Sequence, residues 1–348
     1  MDATTGPTWP HVLTRLLGGG DLDRVFAEWA MDQIMSGEAT PVQVAGFLMA
    51  LRAKGETVEE MRGLADQMLA HGVRIQVPGP SLDVVGTGGD QAHTVNISTM
   101  AAMVCAAAGV RIVKHGNRAA SSSAGAADVL EALGIDLALP AARVEALARQ
   151  VGITFCFAQA FHPSMRHAAV ARRELGVPTA FNFLGPLTNP GQPTYAAVGV
   201  ADARMAPLVA GVFAGRERDA AVFRGDDGLD EVTVSTTSTV WWVRGGRVTR
   251  RTLDPARLGL RPAAPDALRG GDPAHNAQVV REVFAGAVGP IRDAVVLNAG
   301  VALAMVADAD TELHADVRAG MDRAETAIDS GAAAALVRDW VAATRRSG

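Results

Sequence analysis

The stretch from Asp83 to Ala127 constrains this chain more than any other. A short β-branched run, Leu82-Asp83-Val84-Val85, breaks at Gly86-Thr87-Gly88-Gly89-Asp90 and passes through His93-Thr94-Val95-Asn96-Ile97-Ser98-Thr99. It then enters a continuous small apolar segment, Met100 to Ala108. The run has strand length, and the apolar segment reads as a buried helix. Strand, glycine loop, hydroxyl cap and helix in that order make an anion site. Glycines let backbone N–H groups approach a ligand closely, and the helix start adds unpaired donors and partial positive charge. The unit repeats in outline. Val110-Arg111-Ile112-Val113 reads as a second strand, followed by Lys114-His115-Gly116-Asn117-Arg118, by Ser121, Ser122 and Ser123, and by a helix through Val129 to Leu133.

Two consecutive β-loop-α units bring their loops together at the carboxyl ends of parallel strands, where open α/β sheets bind ligands. One loop supplies backbone donors and a carboxylate, the other a Lys, a His, an Arg and hydroxyls. The implied ligand carries more than one phosphate. A dinucleotide fingerprint needs a third glycine where Gln91 stands, and a P-loop needs Gly-Lys-Ser/Thr after its glycines; neither is present.

Composition narrows the class. At 348 residues and 49% apolar content the chain can hold one large domain or two. A net charge of −5 argues against a nucleic-acid surface. No run of 18 apolar residues and no basic-then-apolar leader occurs, so a soluble, cytoplasmic protein without a membrane segment is expected. Cys105 and Cys156 sit in apolar contexts and read as buried free thiols. Lys54 and Lys114 are the two lysines, leaving 30 of the 32 basic residues as arginine. Against that background Lys114, beside a glycine turn, suggests a site wanting a compact ammonium rather than a guanidinium fork.

From Trp9 to about His71 the pattern is helical, after eight residues that read as disordered. Asp21 is a candidate cap; Thr40-Pro41 and the capping box from Thr57 to Glu60 open further helices. Pro78-Gly79-Pro80 is a stiff joint and a candidate hinge. Later segments read as a helix (Pro140 to Gln150), a strand (Ile153 to Phe157) and a basic helix (His162 to Gly176). An irregular stretch follows, Asn182 to Pro193, then strands at Ala196 to Val200 and Ala220 to Phe223. An acidic turn, Gly225 to Glu231, leads into an alternating strand, Val232 to Val234. Trp241 to Val248 reads as a hairpin, and Ala294 to Leu297 as a strand between terminal helices.

Several of these segments together resemble one family, the anthranilate phosphoribosyltransferases. The resemblance rests on Gly86-Thr87-Gly88-Gly89-Asp90, Asn96-Ile97-Ser98-Thr99 and Lys114-His115-Gly116-Asn117-Arg118. It continues through His162-Pro163, Arg172-Arg173-Glu174-Leu175-Gly176, Phe181 to Pro190 and Gly228-Leu229-Asp230-Glu231, and spans about residues 12 to 340. It implies a helical domain over 1–79 that forms a homodimer and one wall of a cleft. It also implies an α/β domain over 80–348 with a central, mainly parallel sheet, in which about 162–192 crosses back toward the helices. The implied reaction transfers the phosphoribosyl group of phosphoribosyl pyrophosphate (PRPP) to the amine of anthranilate, with Mg²⁺, in tryptophan biosynthesis.

Carried over residue by residue, the resemblance gives Gly86, Gly89, Asp90, Thr94, Asn96, Ser98, Thr99, Lys114, Asn117 and Ser122 as PRPP contacts. Gly86, Asn117, Arg172, His115, His162 and Pro163 would bind anthranilate, and Ser98, Asp230 and Glu231 would hold the metal. No catalytic base is expected, because an aromatic amine is neutral at pH 7, and no Ser-His-Asp or paired-carboxylate arrangement stands out. His93, His167, His275 and His314 read as surface or capping residues. The chain departs from the family pattern at Ala124 and Ala126 (commonly Ser), Pro178 (Arg) and Arg224 (His). A pyrimidine-nucleoside phosphorylase would carry a Lys-His-Ser-Thr-Gly loop, and a nucleic-acid-binding relative a basic cleft without an intact Asp-Glu pair.

Overall fold

The computed structural model describes residues 6–119, 123–307 and 312–345. Four helices come first: α1 (Trp9–Leu17), α2 (Arg24–Ser36), α3 (Pro41–Lys54) and α4 (Val58–Ala70). Their starts follow local chemistry. The Thr8 hydroxyl accepts from His11 N, and the Asp23 carboxylate accepts from Phe26 N. Thr40 with Gln43, and Thr57 with Glu60, form reciprocal capping boxes, with Pro41 in the first helical position. Asp23 rather than Asp21 caps α2. Of the eight residues read as disordered, 1–5 lie outside the described residues, and Thr8 is fixed as a cap.

The α/β part runs β1 (Leu82–Gly86), α5 (Ile97–Ala107), β2 (Ile112–Gly116), α6 (Ala126–Leu133), α7 (Ala141–Gln150) and β3 (Ile153–Phe157). It continues with α8 (Ala158–Phe161), α9 (Arg166–Leu175), α10 (Phe181–Leu184), β4 (Tyr195–Gly199), α11 (Met205–Gly215), β5 (Asp219–Gly225), β6 (Ser238–Arg244) and β7 (Arg247–Leu253). The last helices are α12 (Pro273–Phe284), α13 (Pro290–Val306), α14 (Leu313–Asp329) and α15 (Ala332–Arg345). The strands make a seven-stranded sheet in the order β3-β2-β1-β4-β5-β6-β7. The first five in that order are parallel, while β5-β6-β7 is an antiparallel meander.

Each face of the sheet buries a different set of helices. On one face Leu82, Val84 and Ile112 pack with α5, α13, α14 and α15. On the other, Val85, Val198 and Val222 share a core with α11 and with Trp9, Phe47 and Met61 of the N-terminal helices. Helix α9 packs against α2 and α3. The architecture is therefore a small helical domain on a larger α/β domain.

Four segments differ from the sequence reading. Ala294 to Leu297 lies inside the helix α13, not in a strand. A short apolar run does not distinguish the two, and this one continues through Met305 as a helix buried on nearly every side. Val232 to Val234 is irregular. The Asn298 amide holds Val232 at both its N–H (3.0 Å) and its carbonyl (2.8 Å), so no strand partner is needed. The expected continuous helix from His162 is a 3₁₀ turn, Pro163–Met165, followed by α9. The stretch read as irregular begins as helical turns, α10 and a 3₁₀ turn Gly185–Leu187.

Candidate active site

At the carboxyl ends of β1 and β2 lies a cavity of about 320 Å³ lined by both loops. It brings together Gly86, Gly89, Asp90, Thr94, Asn96, Ser98, Thr99, Lys114, His115, Asn117, Asp230 and Glu231. Ser122 lies outside the described residues. His162, Pro163 and Arg172 are not part of this lining. His162 is buried behind His115, Pro163 opens an exposed turn, and Arg172 sits in the last turn of α9 with its guanidinium 5.2 Å from the centre of the Phe181 ring. Asn182, the residue after Phe181, does line the cavity.

The first loop is held in a shape few residues adopt. Gly88 and Gly89 have φ of 68° and 88°, and Gln91 and His93 follow at 59° and 52°. Left-handed backbone at two non-glycine residues stores strain that the surroundings must hold in place. The acidic turn after β5 supplies part of that hold, since Gly88 N donates to Asp230 Oδ2 at 2.6 Å. Side chains on Gly86 or Gly199 would overlap Asp230, so glycine at these two strand ends lets the turn lie directly on the sheet.

The start of α5 differs from the hydroxyl cap read from sequence. Asn96 is the cap residue but makes no capping bond. Its amide donates to Ala124 O (3.0 Å) and its Oδ1 accepts from Asn276 Nδ2 (2.9 Å), so it ties the two loops to α12. Ser98 N donates to Glu231 Oε1 at 3.2 Å. Thr99 lies within the helix, its hydroxyl buried without a partner among the described residues.

Electrostatically the cavity floor is unusual. Asp230 and Glu231 are buried, and both carboxyls are pushed well above the ordinary range. Burial is the main cause for each, with repulsion from Asp90 next for Asp230 and from Asp230 next for Glu231. Lys114 is also buried; its ammonium donates to Val84 O, and burial lowers its pKa against the pull of Asp83, Glu231 and Asp230.

Behind Lys114, His115 Nδ1 donates to Gly185 O (2.9 Å) and His162 Nε2 donates to Thr188 O (2.9 Å). The other ring nitrogen of each is buried and unpartnered among the described residues, and the ring centres are 5.2 Å apart. Burial lowers the two pKa values to about 3 and about 4, so both rings are neutral acceptors at working pH.

Sequence reasoning misplaced His93 and His314. The first lines the cavity, and the second is buried, with Nε2 accepting from Asp254 N at 3.0 Å. It also missed Asp83, Asn182 and Asn189. A carboxylate inside an otherwise apolar strand was the available signal for Asp83. Among the described residues no cluster of three or more His, Cys, Asp or Glu forms a ready metal cage.

Comparison with known proteins agrees with this arrangement. Residues 78–334 match the glycosyl transferase family a/b domain, and residues 10–72 match that family's helical bundle domain. Anthranilate phosphoribosyltransferase of Arthrobacter sp. is 61% identical over 341 residues, covering 98% of this chain and 97% of its own. The crystal structure of the Thermus thermophilus enzyme superposes with a TM-score of 0.90 at 38% identity, covering 96% of this chain and 99% of its own. The Saccharomyces cerevisiae enzyme in complex with PRPP and Mg gives 0.87 at 28% identity, with 98% of each chain covered. Its complex with 4-fluoroanthranilate gives 0.86 at 27%, with 97% of each covered. With two glycosyl transferase domains in order and relatives of this identity along its length, the chain belongs to the anthranilate phosphoribosyltransferase family.

Proposed function

We propose that the cavity between the β1 and β2 loops is where this anthranilate phosphoribosyltransferase joins the phosphoribosyl group of PRPP to the amine of anthranilate. One observation carries the assignment. Two strand-end loops, the start of α5 and the buried Lys114 line, together with the carboxylates of Asp90, Asp230 and Glu231, one space of about 320 Å³. Phosphoribosyl transfer asks for that combination: held and neutralised phosphates, tolerance of positive charge at the ribose C1, and an acceptor delivered in line.

Gly86, Gly89, Asp90, Thr94, Asn96, Ser98, Thr99, Lys114, Asn117 and Ser122 hold PRPP in this reading. Gly86, Asn117, Arg172, His115, His162 and Pro163 bind anthranilate in this reading. The bare nitrogens of the two neutral histidines accept protons in hydrogen bonds without withdrawing them, in keeping with an amine that needs no general base.

The donor set fits Mg²⁺. Ser98, Asp230 and Glu231 offer hard oxygens, and a divalent cation relieves the repulsion among buried carboxyls. Mg²⁺ keeps waters and shares substrate phosphates, so no closed protein cage is required. When bound, it neutralises charge on the departing pyrophosphate.

The same reading divides the chain into a helical domain (1–79) and an α/β domain (80–348), with 162–192 crossing back toward the former. It also makes the protein a cytoplasmic homodimer. Two buried free thiols support the compartment. Leu17 and Val42, 78% and 81% exposed, lie on α1 and α3, which touch each other, and support an interface there. No described helix is long and apolar enough to cross a membrane.

Purified protein given PRPP, Mg²⁺ and anthranilate is expected to consume anthranilate, read as loss of its fluorescence. No loss with correctly folded protein overturns the assignment. A smaller effect is expected at Ala126, the first residue of α6, which lines the cavity. A hydroxyl there adds a donor at a helix start, and Ala126→Ser should tighten PRPP binding by up to about 1.5 kcal/mol. Anthranilate binding should barely move. Measuring both constants decides it, and an unchanged PRPP constant means that the neighbouring serines already saturate the phosphate or that residue 126 does not face it.

A further inference from the structure

The sheet is continuous except at one seam. Strands β1 and β4 pair through five residues, Leu82↔Tyr195 to Gly86↔Gly199, and β2 and β3 pair equally fully. Between β1 and β2 the register is limited to Leu82↔Ile112. A parallel ladder in that register would next join Val84 N to Val113 O, and then His115 N to Val84 O.

Side chains take three of these four groups instead. Val113 O accepts from Asn189 Nδ2 at 2.7 Å. His115 N donates to Asp83 Oδ1 at 3.2 Å. Val84 O accepts from the Lys114 ammonium. Asn189 Nδ2 also donates to Asp83 Oδ2 (2.8 Å), and its Oδ1 accepts from Gly191 N (2.9 Å).

We propose that Asp83 and Asn189 are positioning residues that hold the sheet open between β1 and β2, setting the separation of the two loops around PRPP. An ordinary ladder would satisfy the same backbone groups without burying a carboxylate and an ammonium, which is costly in a protein interior. The two strands that part are the two whose carboxyl ends carry the Gly86 loop and the Asn117 loop. Lys114 belongs to both structures: it binds Val84 O in the seam and lines the cavity beyond it. The proposal rests on the assignment of that cavity to PRPP.

Asp83→Asn tests it. The new amide keeps an oxygen for His115 N but turns an NH₂ toward the Asn189 NH₂, so two donors meet. Calorimetric titration with PRPP and Mg²⁺, well below the melting temperature, is expected to show at least tenfold weaker binding by folded D83N. The double variant D83N/N189D restores the donor–acceptor pair between 83 and 189, though it leaves Val113 O without its donor, and should recover at least threefold of that loss but not all of it, which a merely structural lesion would not. If D83N does not fold, N189S carries the same titration, with the same loss expected. The parent's own PRPP binding checks the cavity assignment, and the ratio of variant to parent checks the seam. Folded variants binding PRPP within twofold of the parent, or a double variant no better than D83N, overturn the proposal.

Discussion

Replacing Asp230 with Asn and Glu231 with Gln together is expected to abolish measurable turnover at physiological Mg²⁺, a loss of at least about 100-fold, without unfolding the protein. Charge neutralisation of a departing phosphate contributes several kcal/mol to such a transition state. The fold should tolerate the change because Asn and Gln oxygens can still accept from Gly88 N and Ser98 N. Both carboxyls are already pushed toward their neutral forms by burial and by their acidic neighbours. Removing their charge relieves repulsion, so the melting temperature should hold or rise while activity disappears. Parent-like turnover by the folded double variant would sink the metal assignment.

Arg172→Ala should chiefly impair the use of anthranilate. The guanidinium lies over the Phe181 ring with no hydrogen-bond or ion-pair partner among the described residues, and burial lowers its pKa. A half-buried cation without a counter-charge, set over the ring of the residue that precedes Asn182 of the cavity, is suited to an incoming carboxylate. Losing that charge-assisted contact is worth roughly 1.5–3 kcal/mol, or about 10- to 150-fold in kcat/KM for anthranilate. Steady-state kinetics with each substrate varied in turn provides the check. An equal loss in PRPP affinity with anthranilate unaffected would put Arg172 in the other half of the site.

The parts of the fold legible in the sequence were those governed by local chemistry. Thr40-Pro41, the capping box at Thr57, the β1 glycine loop and the strand from Ile153 each state their structure within a few residues. Ala294 to Leu297 failed because burial on all sides erases the periodicity that separates helix from strand. Val232 to Val234 failed because its backbone is satisfied by Asn298, 66 residues away. The candidate site divides in the same way. Both loops were readable, as each follows its own strand. The seam was not, since Asp83 and Asn189 stand 106 residues apart and meet only after β2 has been placed between them. His93 looked like an ordinary turn residue until the left-handed loop directed it into the cavity.

The meander that ends the sheet bears on what happens when many copies of this chain are crowded together. Among the described residues β7 pairs with β6 alone, so its outer row of N–H and C=O groups is a template for any other extended chain. Its sequence, Arg247-Val248-Thr249-Arg250-Arg251-Thr252-Leu253, is almost entirely exposed, and Arg250 and Arg251 lie over Trp241 and Trp242 of the neighbouring strand. The arginines cover the indole faces and repel a like strand arriving in register, so an edge that would invite fibrous stacking is closed to copies of itself.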